Sequence, residues 1–381
     1  MNNFQFQNPT KLIFGKGQIA KLATEIPTNK NILLTFGGGS VKQNGVYKQV
    51  KEALKNHNCT EFWGIEPNPT VETLRKAIAL GKEKQIDFLL AVGGGSVLDG
   101  TKLISAGIMN KNDAWDIVRT PKLLGVCLPY GSVLTLPATG SEMNRGAVIS
   151  NLATNEKFAF YSNYPLFSIL DPETTFSLPE FQVAVGIADT FVHVMEQYLT
   201  TPNQSPLMDR WAEGILQTLV EIAPKIRNNP HDYDQMSNFM LCATMALNGF
   251  ISMGVSQDWA THMIGHELTA LHGTTHGQSL VIVLPALMQV MSQQKSEKIV
   301  QYGARVWNIT TGSTVEKVRK TIVQTETFFR SLGLATKLSE LNIGQPTIDE
   351  IVRRFTARGT VLGEEQNITP GVVRTILEIA L

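Results

Sequence analysis

The pattern of apolar and polar positions changes character once along the chain. In the first half, short apolar, β-prone runs alternate with amphipathic stretches. "NILLTF" (31–36) precedes the helix-like "VYKQVKEALKNHN" (46–58), and "EFWGI" (61–65) precedes "TVETLRKAIALGKEKQ" (70–85), where Thr70 is placed to cap. "IDFLLAV" (86–92) precedes "SVLDGTKLISAGI" (96–108), and "LLGVCLP" (123–129), "GAVIS" (146–150) and "LFSILD" (166–171) read as further strands. Nearly continuous apolar strands between helices predict a parallel sheet covered on both faces. Past "LDPETTFSLPE" (170–180) the spacing turns helical over 183–199, 206–227, 234–252, 258–271, 277–292, 295–306 and 313–332. The expected fold class is α/β. A Rossmann-like parallel-sheet domain spans 1–178 and an all-helical domain spans 179–381, with Pro172 and Pro179 at the junction. The alternating start "NFQFQ" (3–7) reads as an edge strand that pairs with a second copy, which predicts a homodimer.

Composition narrows the class. At 381 residues, two domains are the default. Lysine plus arginine equals aspartate plus glutamate, 33 each, which leaves no electrostatic footprint for nucleic acid or an anionic membrane. Apolar runs are short. That from Leu280 to Leu284 is ended by Pro285 and cannot span a bilayer. The first residues carry no basic patch and no signal-peptide pattern. Cys59, Cys127 and Cys242 are scattered, so no disulfide framework is expected and a reducing cytoplasm is the simplest location.

The tetrapeptide Gly-Gly-Gly-Ser closes an apolar run twice, at Gly37–Ser40 and Gly93–Ser96. In a doubly wound sheet these are carboxyl ends of strands, where ligands bind. Neither copy satisfies G-x-G-x-x-G, and no G-K-[ST] follows either. Tight turns without a ligand are the alternative for each. The second copy has a helix directly behind it, with Ser96 and Asp99 able to bond a ligand or cap that helix. The first copy shows Gly37, Gly38, Gly39, Ser40 and Lys42 where NAD-specific folds place a ribose-binding carboxylate. If the ligand is a dinucleotide, amides, a hydroxyl and an ammonium without a carboxylate favour the 2′-phosphate of NADP. In "TLPATGSEMN" (135–144), Thr135, Thr139, Gly140 and Ser141 either line a cofactor or cap a turn.

Four of the seven histidines fall in "HMIGHELTALHGTTHG": His262, His266, His272 and His276. His262 and His266 share a helix face, as do Asp189 and His193 in "GIADTFVHVMEQY". Two helices that each offer such a pair can surround one divalent ion. Spacing alone does not choose between His266 and His276. Met263 stands where H-E-x-x-H needs glutamate, which excludes that protease pattern.

These segments together resemble the iron-containing (group III) alcohol dehydrogenases. The resemblance runs through "NPTKLIFGKG" (8–17), "EPNPTVETL" (66–74), "FLLAVGGGSVLDGTK" (88–102), "TLPATGSE" (135–142), "LDPETTFSLP" (170–179), "ADTFVHVMEQY" (188–198) and the histidine stretch (262–277). Within the family it is nearest to the NADPH-dependent butanol dehydrogenase and broad-range aldehyde reductase branch. It implies a dehydroquinate synthase-like architecture with the active site in the interdomain cleft, and a Fe²⁺ or Zn²⁺ ion on Asp189, His193, His262 and His276. His266 is then a pocket residue suited to proton relay. Gly94, Gly95, Ser96 and Asp99 are implied at the cofactor diphosphate, Thr135 and Thr139 along the cofactor, and Lys157 at its ribose. Leu136 departs from the family's usual second threonine, and His272 has no family role.

The implied activity is reduction of short- to medium-chain aldehydes to primary alcohols with NADPH, and the reverse. Competing readings are a glycerol dehydrogenase-like or dehydroquinate synthase-like enzyme of the same fold and a zinc hydrolase using Glu196 or Glu267 as base. A non-catalytic binding protein explains least.

Overall fold

The computed structural model describes residues 1–200 and 205–381. The chain parts into two compact units. One comprises Gln7–Pro179 with Asn229–Thr244; the other comprises Met1–Phe6, Glu180–Asn228 and Met245–Leu381. Strands are numbered β1–β8, and helices of eight residues or more α1–α12.

The sheet unit holds β1 (Lys11–Phe14), β2 (Asn31–Phe36), β3 (Asn58–Phe62), β4 (Phe88–Gly94), β5 (Tyr130–Leu136) and β8 (Phe167–Leu170), ordered β1-β8-β5-β4-β2-β3. Every neighbouring pair is parallel. An antiparallel hairpin, β6 (Gly146–Asn151) with β7 (Glu156–Tyr161), stands apart. Alternation within each strand assigns opposite faces. Leu33, Leu89 and Ala91 pack with α2 (Val71–Glu83) and α3 (Gly95–Met109), whereas Ile32, Leu34, Phe88 and Leu90 pack with α1 (Val46–Ala53). Both faces are therefore dry, which is why these strands read as continuous apolar runs. Burial of each such Leu, Ile or Phe side chain contributes about 1.5–3 kcal/mol.

The register fixes where the glycines emerge. Phe36 pairs with Val92, so both Gly-Gly-Gly-Ser loops leave the same end of adjacent strands. The repeat follows from two neighbouring parallel strands ending level.

One strand differs from the sequence expectation. "LLGVCLP" forms no strand; the strand begins at Tyr130. Val126 is exposed, and Pro129 precedes the strand. Gly131 and Ser132 disguise the real strand. A Cβ on Gly131 would lie 2.3 Å from Phe167 Cζ, and Ser132 Oγ donates to Ser168 Oγ at 2.7 Å. Both residues are set by close packing at the sheet centre. The "EFWGI" strand begins earlier, at Asn58. Residues 1–10 form no strand within this chain. Asn2 N donates to Gly254 O, and Phe6 packs on Phe250.

The helical unit contains α4 (Glu180–Tyr198), α5 (Pro206–Asn228), α7 (Ala260–His272), α8 (His276–Val290), α9 (Ser296–Val306), α10 (Thr314–Ser331), α11 (Gln345–Arg358) and α12 (Pro370–Ile379). The expected helix 234–252 is shorter: α6 (Tyr233–Ala246), most of which belongs to the sheet unit. Met240 joins that unit's core, and Thr244 Oγ1 donates to the buried Glu142 carboxylate at 2.6 Å. Among the described residues, no helix is long and apolar enough to cross a membrane.

Candidate functional site

The metal-type residues all lie in the helical unit. Asp189 and His193 stand one turn apart on α4, His262 and His266 one turn apart on α7, and His276 opens α8. Two glycines bring these helices together. A Cβ on Gly277 would lie 2.6 Å from Val185 O of α4, and one on Gly265 would lie 2.9 Å from Ser279 Oγ of α8. Without a side chain there, α8 rests directly against both partners and His276 reaches Asp189.

Asp189, His193, His262 and His276 each present one ligand atom, all within 4.8 Å of one another. Asp189 Oδ1 lies 3.7 Å from His193 Nε2, 3.9 Å from His262 Nε2 and 3.7 Å from His276 Nε2. Donor atoms on a tetrahedron around one ion with bonds of ~2.0–2.2 Å are ~3.3–3.6 Å apart, so the three distances to Asp189 are within a few tenths of an ångström of that spacing. His262 Nε2 is buried and makes no hydrogen bond. A buried acceptor aimed at a carboxylate is unfavourable unless a cation stands between them. The donor set, three imidazoles and a carboxylate, suits Fe²⁺ or Zn²⁺. His266 lies outside the set, its ring 5.3 Å from that of His276 and 6.2 Å from that of His262.

Glu196, one further turn along α4, has its role made clear only by the structure. Its carboxylate accepts from Thr261 N at 2.6 Å and from His262 N at 3.3 Å, and it contacts His262 Nδ1. It caps α7 and holds the proton on Nδ1, which leaves Nε2 as the ligating nitrogen. Glu267 is bound by Arg354 at 3.2 Å and by Arg358. Both carboxylates considered as a hydrolase base are thus engaged elsewhere. His272 Nε2 pairs with Thr347 Oγ1 of α11 at 2.9 Å, a helix-to-helix contact. Leu268 is core, and Trp259 adopts φ 63° at the start of α7.

The cofactor-type residues all lie in the sheet unit. Gly93 and Gly94 end β4, and α3 starts at Gly95 with no side chain capping its first N–H groups. The starts of α1, α7, α8, α9 and α11 likewise have no side-chain cap, so what marks the start of α3 is its place behind the glycines at the end of β4, where first-turn N–H groups can seat an anion. Gly95 is obligatory, since a Cβ there would lie 2.5 Å from Thr139 Oγ1. Thr135 sits in β5 and is buried, with Thr139 in the loop beyond. Gly38 and Ser40 are exposed, and a Cβ on Gly38 would meet nothing.

Asp99 points inward to the fold. Ser141 Oγ donates to its Oδ1 at 2.6 Å and Val148 N to its Oδ2 at 2.9 Å, and burial raises its carboxyl pKa. Lys102, fully buried, donates to Ser141 Oγ, Asn144 Oδ1 and Gly146 O at 2.7, 3.1 and 2.6 Å. Desolvation lowers its pKa to about 8. Together they tie the 139–146 loop to α3. Lys157 Nζ donates to Asn68 Oδ1 at 2.9 Å, while Asn68 N donates to Ser96 Oγ at 3.3 Å. Asn68, at φ 56° between two prolines, thereby joins two of the expected cofactor residues. The Pro-Asn-Pro punctuation was the available signal.

Residues 9–172 match the iron-containing alcohol dehydrogenase family, and residues 183–381 match the C-terminal family of Fe-containing alcohol dehydrogenases. The chain is 50% identical to the NADPH-dependent aldehyde reductase YqhD of Escherichia coli, with all of both chains covered. It is 42% identical, again over all of both chains, to the probable NADH-dependent butanol dehydrogenase 1 of Bacillus subtilis. A crystal structure of E. coli YqhD superposes with a TM-score of 0.98, covering 100% of this chain and 99% of that one. NADH-dependent butanol dehydrogenase A from Thermotoga maritima superposes at 0.95 with 34% identity and the same coverage.

Proposed function

The chain belongs to the iron-containing alcohol dehydrogenase family, and from that membership we propose that it reduces short- to medium-chain aldehydes to primary alcohols with NADPH, and runs in reverse. The observation that carries the reading is the convergence of Asp189, His193, His262 and His276 on one point. These four residues would hold a divalent ion, iron or zinc, which would supply Lewis-acid activation of a substrate carbonyl. Glu196 fixes the His262 tautomer, and His266, whose ring lies 5.3 Å from that of His276, would serve as the proton donor to the product oxygen. Gly94–Ser96 and the uncapped start of α3 would hold the diphosphate of NADPH and Lys157 a ribose, and the cofactor would supply the hydride. Thr135 and Thr139 line its course, and Asp99 supports the loop from beneath.

Preference for NADPH is supported by the 50% identity to an NADPH-dependent enzyme and by the first glycine loop, Gly37–Ser40, which has no carboxylate. The engagement of Glu196 and Glu267 disfavours a zinc hydrolase, and no observation favours a polyol substrate. We assign the protein to the cytoplasm from its scattered thiols and to a homodimer from family resemblance.

The test is NADPH oxidation with butyraldehyde on enzyme of defined metal content, with and without chelator. Activity lost with chelator and restored by Fe²⁺ or Zn²⁺ is expected. No oxidation with any short aldehyde after reconstitution refutes the reading.

A further inference from the structure

Trp63 is set beside the first glycine loop by the backbone. Ile65 N donates to Phe36 O at 3.1 Å and Gly64 N to Gly37 O at 3.2 Å, which brings the end of β3 alongside Gly37–Ser40. The indole is held on several sides. Phe36 stacks on one face, with ring centroids 4.1 Å apart and planes 13° apart, and Nε1 donates to Glu61 Oε2 at 2.9 Å. The Lys42 ammonium also lies over the ring, 4.0 Å from its centre. Glu61 is engaged by Tyr47 and Lys51 as well. Among the described residues, no carboxylate pairs with Lys42.

An exposed lysine is ordinarily a mobile point charge that loses much rotamer freedom on binding. Here its head rests on an aromatic face at the mouth of the loop, near the exposed Gly38 and Ser40. The quadrupole of the ring attracts the cation without neutralising it. A carboxylate would hold the lysine more firmly but would repel a phosphate. We propose that Trp63 is a specificity-positioning residue that holds Lys42 where its ammonium meets the 2′-phosphate distinguishing NADPH from NADH. The inference rests on the NADPH reading above.

The experiment measures kcat/KM for NADPH and for NADH with butyraldehyde on the metal-loaded full chain. It compares the native protein with K42M, W63F, W63L and W63L/K42M, with Tm and metal content as controls. K42M is expected to lower the NADPH-to-NADH ratio roughly tenfold by losing a charge-assisted contact. W63L is expected to lower it roughly 2- to 5-fold, W63F by less, and NADH kinetics stay unchanged in both. In the K42M background W63L is expected to leave the ratio unaltered.

Equal loss with both cofactors means that Trp63 stacks on the adenine instead, which overturns the proposal. So does an unchanged ratio in W63F and W63L. If W63L does not fold, W63F and K42M decide alone. A native protein that prefers NADH overturns the cofactor reading itself. A native protein that prefers NADPH, with a ratio indifferent to Trp63, overturns only the role given to Trp63.

Discussion

Replacing Glu196 with Gln tests whether the metal centre depends on a residue that does not touch the ion. Its carboxylate accepts from the N–H groups of Thr261 and His262 and contacts His262 Nδ1. An amide keeps one acceptor oxygen for the backbone but turns an NH₂ group toward Nδ1. That favours the tautomer protonated on Nε2, the nitrogen 3.9 Å from Asp189 Oδ1, and a protonated Nε2 cannot ligate. Loss of such an outer partner weakens metal affinity roughly 10- to 100-fold, or about 1.4–2.7 kcal/mol, and the tautomer argument places E196Q toward the upper end. E196A also strips two buried N–H groups at the start of α7 and costs the fold about 1–3 kcal/mol for each. Competition with a chelator, followed by metal content and denaturant melts of both variants, separates these effects. Metal affinity in E196Q within about twofold of the native protein refutes the argument.

Four further outcomes follow from the same geometry. H276A is expected to lose bound metal and activity while keeping its circular dichroism spectrum, since His276 is only the first residue of α8; metal retained by H276A excludes it as a ligand. G277A is expected to weaken metal binding by pushing α8 from Val185 O; unchanged affinity, measured by chelator competition, contradicts that account. G95A is expected to lower Tm and cofactor affinity through the Thr139 clash and to recover both in G95A/T139A; absence of rescue counts against it. Lys102 has a folded pKa near 8 against an ordinary 10.5, so the unfolded chain binds more protons between those values and stability rises with pH across that window. The gain is about 3 kcal/mol, and urea titrations should show it in the native protein but not in K102M.

Much of this was readable because its physical cause is local. A strand buried on both faces must be apolar along its length, so β2 and β4 announced themselves, and the glycines followed at their ends. Histidines one turn apart on a helix are a periodicity. What stayed hidden depends on distant partners. Gly131 and Ser132 look unlike strand residues until Phe167 and Ser168 are beside them. Glu196 is an ordinary acidic residue until the start of α7, 65 positions away, meets it. No spacing in the sequence distinguished His276 from His266; the close seat of Gly277 on α4 does. The exposed faces of α11 and α12 diluted their pattern, and neither was read as a helix.

The return of α6 to the sheet unit bears on how the protein is made. All eight strands have been synthesised once Pro179 is joined, yet that unit is unfinished until Asn229–Thr244 follow. Until then the core lacks Met240, and the carboxylate of Glu142, whose pKa burial raises, lacks its hydroxyl partner on Thr244. At ~5–20 residues per second, the roughly 65 residues from Pro179 to Thr244 hold the nascent sheet open for roughly 3–13 s. During that interval the chain depends on whatever shields apolar surface at the ribosome. A gene fragment ending at Pro179 would make the interval permanent.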